Sequence, residues 1–170
     1  MQTPNGFATG SIRAVDVMPL LLEACPSFLP VWYEIEDEYR DPQNHGGRLC
    51  YLDAGHFARH VVEMHRSNHR HWLQNAFDFI ERMHIEGDEY VRELATIGYL
   101  EDIENTAGHA GVDPAVFEEY LGPESQRWWE GLVAFWSGQS PTVVPTDRRK
   151  ILRRWLRSKL PSPGANRSRW

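Results

Sequence analysis

The stretch Asn75–Asn105, NAFDFIERMHIEGDEYVRELATIGYLEDIEN, decides the fold. Glu86-Gly87-Asp88 at its middle reads as a tight turn between two helices. At about 100° per residue, Trp72, Leu73, Ala76, Phe79, Ile80 and Met83 form one apolar stripe before the turn. After it, Tyr90, Val91, Leu94, Ile97 and Gly98 form a second stripe. Tyr99, Leu100 and Ile103 fall on the opposite side of that second helix. A helix that is apolar nearly all round is a buried one, so the second helix is expected at the centre of the fold.

The chain on either side continues the helical pattern. Upstream, Ile12–Ala24 reads as a helix bent or started at Pro19, and Phe28–Tyr39 as another, capped by Ser27 with Pro30 in its first turn. Residues 41–47 form a loop, and Leu49–Arg66 a third helix with Cys50, Ala54, Phe57, Ala58, Val61 and Met64 inward. Ser67-Asn68 break it from the Trp72 helix. Downstream, Asp113-Pro114 opens a short helix that stops at Gly122-Pro123. Glu124–Ser137 then places Trp128, Trp129, Leu132, Val133, Phe135 and Trp136 on one wide face. No segment alternates with period two for long enough to make a strand. The expectation is an all-α protein of seven or eight helices in antiparallel pairs, with HEAT-like stacking though no repeat of fixed period. By residue, 1–11 is a flexible lead, 12–138 the helical domain, 139–146 a linker, 147–160 a basic amphipathic helix and 161–170 a disordered tail.

Charge is divided along the chain. Up to Asp147 there are 24 acids against 9 Lys and Arg, a formal −15. The remaining 23 residues hold the other 9 bases and no acid, +9, which together give the net −6. An acidic body repels nucleic acid and membrane surfaces and draws in a basic partner. In the last helix Ile151, Leu152, Trp155 and Leu156 lie on one side and Arg149, Lys150, Arg153, Arg154 and Arg157 on the other. Its apolar side is expected to fold back on the domain. No run approaches the ~20 apolar residues of a membrane span. No basic-then-apolar secretory leader opens the chain, so a cytoplasmic location is expected, with Cys25 and Cys50 as free thiols.

Four features carry possible chemistry. Asp53, His56, His60 and Glu63 fall within an arc of about 80° on the third helix, and His-x3-His is a spacing that can hold zinc. That arc faces away from the Phe57 and Val61 stripe, and HExxH is absent, so a solvated polar face is the ordinary reading and a metal-dependent enzyme or sensor the alternative. His65 is expected as a core imidazole. Glu101 follows the inner stripe, where burial raises a carboxyl pKa unless a cation or donor answers it. The Trp128, Trp129 and Trp136 face is core, or in part an interface. The basic 147–160 helix is the basis of a third reading, an adaptor that touches nucleic acid or membrane. GxSxG and phosphate-binding loops are missing, and neither an enzyme nor a cofactor is expected.

Phe77-Asp78-Phe79-Ile80-Glu81, Gly87-Asp88-Glu89-Tyr90-Val91 and Leu94-Ala95-Thr96-Ile97-Gly98-Tyr99-Leu100-Glu101 resemble the core of a bacterial family of small all-helical proteins of unknown function. Leu121-Gly122-Pro123-Glu124-Ser125, Trp128-Trp129 and Phe135-Trp136 resemble its end, so the likeness spans Leu49–Gly138. Proteins of this type resemble immunity proteins that protect a toxin producer, which implies a non-enzymatic inhibitor of a cognate toxin. With an acidic body, a basic nuclease-type toxin is the expected partner, and nucleic acid is not. Exposed acids are then the expected contacts: Glu34, Glu36, Asp37 and Glu38 on the second helix, and Glu118 and Glu119 near the short one.

Overall fold

Eight α-helices and no strand make up the described residues, 10–37 and 49–159 (of Trp155, Ser158 and Lys159 only the backbone), in a computed structural model. The helices are α1 (Ala14–Ala24), α2 (Leu29–Ile35), α3 (Cys50–Arg66), α4 (Arg70–Glu86), α5 (Glu89–Glu93), α6 (Glu101–His109), α7 (Pro123–Trp136) and α8 (Arg148–Lys159). Short 3-10 helices at Pro26–Phe28 and Pro114–Tyr120 join them. Glu38, the 41–47 loop, the side chain of Trp155 and the 161–170 tail lie outside the described residues.

The turn at Gly87 sits where the sequence puts it, with the Asp88 carboxylate accepting from Val91 N–H at 2.9 Å to start the next helix. From Glu89 to His109 the chain is helical throughout, but Leu94–Leu100 winds as a π-helix, with Glu101 N–H donating to the carbonyl of Thr96. The winding has a consequence for which side chains face inward. Val91, Ala95, Tyr99, Ile103 and Ala107, each four residues from the last, are all buried. In a regular α-helix such a row drifts about 40° per step and would wrap out of the core. The wider π turn takes back part of that drift. Tyr90 and Ile97, read from the sequence as part of the inner stripe, are 41% and 36% exposed.

Around this central rod pack α3, α4 and α7, with α1 against α4. Phe57, Phe79 and Tyr99 meet at its middle, and Phe77 stacks between Phe117 and Tyr120 of the second 3-10 helix. Asn68, at φ 58°, ends α3: Asn68 N–H bonds the His65 carbonyl and His69 N–H that of Met64, the paired closure of a Schellman motif. Gly138 (φ 74°) ends α7 in the same way.

Two sequence expectations need correcting at the amino-terminal side. Residues 10–12 are strapped to the Gly87 turn rather than loose: Gly10 and Ile12 N–H both donate to the Glu86 carbonyl, and Asp88 N–H donates back to Ile12. Helix α1 therefore starts two residues after Ile12 and runs through Pro19. Ser27 does not cap α2. A proline-led 3-10 turn precedes that helix, and the Ser27 hydroxyl instead pairs with His60 at 2.9 Å.

After Gly138 the chain doubles back along α7 as an extended strap. Arg127 and Thr146 exchange bonds, Thr146 N–H to the Arg127 carbonyl at 3.0 Å and Arg127 Nε to the Thr146 carbonyl at 2.7 Å. A Cβ at Gly131 would collide with the Val144 carbonyl, so glycine there lets the two backbones touch. The strap returns the chain to the start of α7. Asp147 then accepts from Arg149 N–H at 2.7 Å and opens α8, which lies on α7 with Ile151 buried.

Candidate functional site

A pocket of about 410 Å³ opens beside the π turn, lined by Glu89, Arg92, Glu93, Thr96 and Ile97 of the central helix, Trp128 of α7 and Val143 of the strap. Its size falls in the range of small-ligand sites. The five central-helix residues share one face because they recur at three- and four-residue intervals. Ile97 is the exposed apolar member of that face. Tyr51 of α3 donates to the Glu93 carboxylate at 3.4 Å.

Thr96 joins this pocket to a buried polar string. His84 of α4 lies 3.0 Å from Thr96 Oγ1 through Nε2 and 3.1 Å from Ser125 Oγ through Nδ1, and its ring stacks on Trp128. Burial lowers the His84 pKa from 6.5 to about 3, opposed by the ring's hydrogen bond to the Ile80 backbone carbonyl and assisted by the charge of Arg127. The imidazole is neutral at physiological pH. Ser125 also sits at the start of α7, where Glu81 caps the helix. Its two carboxylate oxygens accept from Glu124 N–H (2.9 Å) and Ser125 N–H (2.7 Å), so a negative charge meets the positive end of the helix. A Cβ on Gly122 would strike that carboxylate.

A Ser–His–Thr string has the look of nucleophilic machinery. Ser125 is wholly buried and His84 4% exposed, so a substrate in the pocket has no access to the serine. The geometry suits a strut that locks α4, the central helix and α7 together. What the pocket offers a ligand is two carboxylates, one guanidinium and an apolar wall.

The residues singled out in sequence are dispersed. Asp53 is buried, His56 and His60 are half-buried and Glu63 is exposed, so the four do not share the open face expected of them. His60 is turned inward to Ser27 and the rings of Phe28 and Phe57, and burial lowers its pKa. Among the described residues, no group of three or more His, Cys, Asp or Glu could hold a metal ion. His65 lies against Phe117. Glu101 is half-buried, its pKa raised by burial and then by the neighbouring Asp102; Asp102 and Glu104 are raised as well, again first by burial. Glu104 Oε2 is buried with no hydrogen-bond partner.

Of the acids expected to meet a partner, Glu34 and Asp37 are exposed and Glu36 half-buried at the end of α2. Glu118 and Glu119 are exposed on another element, the second 3-10 helix, with Glu119 3.6 Å from Arg70. The wide aromatic face of α7 divides. Trp129 and Leu132 are core, Trp128 lines the pocket, and Val133 and Trp136 are exposed, since α7 runs past the end of the core.

Sequence reading missed His84, Glu81 and Ser125. A signal for Glu81 was present, in that Gly122-Pro123-Glu124-Ser125 starts a helix with no side-chain cap of its own. The partner 43 residues away was not visible. With that geometry in place, the chain matches the domain of unknown function (DUF7674) over residues 18–137. The chain belongs to that family. The match runs from within α1 through α7, with the buried string and most of the pocket, and stops before the strap and α8. No curated protein and no solved structure matches the chain.

Proposed function

We propose that this DUF7674 protein is a binding protein rather than a catalyst, an immunity-type inhibitor that neutralises a cognate basic toxin by direct contact in the bacterial cytoplasm. One observation carries the reading. Carboxylates of the acidic body stand on the surface, Glu34, Asp37, Glu89, Glu93, Glu118 and Glu119 all exposed, while the interior imidazoles of His60 and His84 are tied to hydroxyls of other elements. An anionic surface speeds encounter with a cationic protein and loses that advantage in salt. No single helix among the described residues is long and apolar enough to cross a membrane.

Two experiments test this. Capture from the native host is expected to retain a basic toxin-like protein, and co-expression is expected to rescue growth from that toxin. A partner that is acidic, or rescue that persists when Glu34, Asp37, Glu118 and Glu119 are all replaced by their amides, would count against recognition through the acidic surface.

A further inference from the structure

Helix α8 lies along α7 in a definite register. Arg148 meets Glu124 at 3.6 Å and Arg154 meets Glu130, so six residues along one helix match six along the other and the two run parallel. Between the two arginines Ile151 is buried, 1% exposed. The seat thus reads a pattern, an aliphatic side chain with an arginine three residues to either side, on a strip bounded by two half-buried carboxylates.

Of the α8 side chains described, Ile151 alone is buried. Leu152 and Leu156 remain 45% and 50% exposed, and Arg149, Lys150, Arg153 and Arg157 face solvent. The strap before α8 is fastened separately, by the Arg127–Thr146 exchange and the close approach at Gly131. Helix α8 can therefore leave α7 by a change after Thr146, with strap and core in place. It also lies beyond the family match, which ends at residue 137, just past the α7 that carries both carboxylates.

We propose that the outer strip of α7 marked by Glu124 and Glu130 is the docking surface for a basic amphipathic helix of a protein partner, and that α8 is its internal occupant, displaced when the partner arrives. This rests on the reading of the partner as a basic protein. The ion pairs supply the charge complementarity, and the buried isoleucine sets the register. Because α8 must be lifted first, apparent partner affinity is reduced by the fraction of molecules in which the strip is open.

The test uses the full chain and a labelled synthetic peptide of residues 147–159, followed by fluorescence anisotropy. Ile151→Asp removes the apolar anchor of α8, and this variant is expected to bind the peptide at least tenfold more tightly than the parent. Adding Glu130→Gln is expected to undo most of that gain, and raising salt from 50 to 500 mM to weaken binding several-fold. Equal binding by parent and Ile151→Asp, or binding indifferent to Glu130→Gln, overturns the proposal. If Ile151→Asp loses its helical circular dichroism, Arg154→Glu, which sets like charges against each other at Glu130, replaces it with the same expected outcomes. Peptide binding without rescue from any basic toxin would sink the immunity reading and leave the surface standing.

Discussion

His84 shows how one side chain can fix a stability profile. The unfolded chain titrates this imidazole near 6.5, whereas burial holds it to about 3 in the fold. Between those values the unfolded state binds the extra proton, so its contribution is complete above pH 6.5 and is lost as pH falls toward 3. Urea unfolding at pH 7, 6, 5 and 4 should show falling stability, with a shallower slope in His84→Gln. Thr96→Val leaves one ring nitrogen without its hydroxyl and is expected to cost about 1–3 kcal/mol, read from the same urea curves at pH 7. Glu104 has the opposite sign. Its pKa is raised, so the charged form opposes folding at neutral pH. Glu104→Gln should raise the melting temperature by about 2 °C at pH 7 and by less near pH 4. Neither group could be ranked from the sequence, because each shift comes from what surrounds it. His84 differs from the exposed His69 and His71 only in its packing.

Among the elements, the central helix is the most informative. Its position and turn were legible in the apolar pattern, since Gly87 and the Asp88 cap are local chemistry. Its winding was not, because the pattern was read with one period throughout. The π turn predicts an unequal pair of substitutions three residues apart. Ile97→Lys, on the pocket side, should cost less than about 0.5 kcal/mol, while Leu100→Ala, wholly buried, should cost about 2–5 kcal/mol. Denaturant midpoints of the two variants decide the register, and comparable costs would restore a uniform helix. Helix α7 depends on a cap from outside itself. Glu81→Ala should cost about 1–2 kcal/mol and lower protection of the first α7 amides in hydrogen exchange.

For the molecule as a whole, the two parts of the chain that differ in formal charge touch each other. The body carries exposed carboxylates, and the helix that holds the compensating bases docks on it through Glu124 and Glu130. Replacing Glu34, Asp37, Glu118 and Glu119 by amides should leave the melting temperature within about 2 °C, since exposed charges contribute little. The same change should slow association with a basic partner, measured as a smaller loss of on-rate between 50 and 500 mM salt.

The sequence by itself determined the helical class, most helix boundaries, the turn at Gly87 and the separation of an acidic body from a basic last helix. These follow from periodicity, caps and formal charge, which act over a few residues or merely add up. Tertiary structure alone decided that Asp53 is buried, that His60 faces Ser27, that Ile97 faces the pocket and that the strap touches Gly131. It alone brought His84, Thr96 and Ser125 together from three helical elements. Burial and partnership are properties of neighbours, and neighbours 40 residues away enter the chain's chemistry only once it has folded.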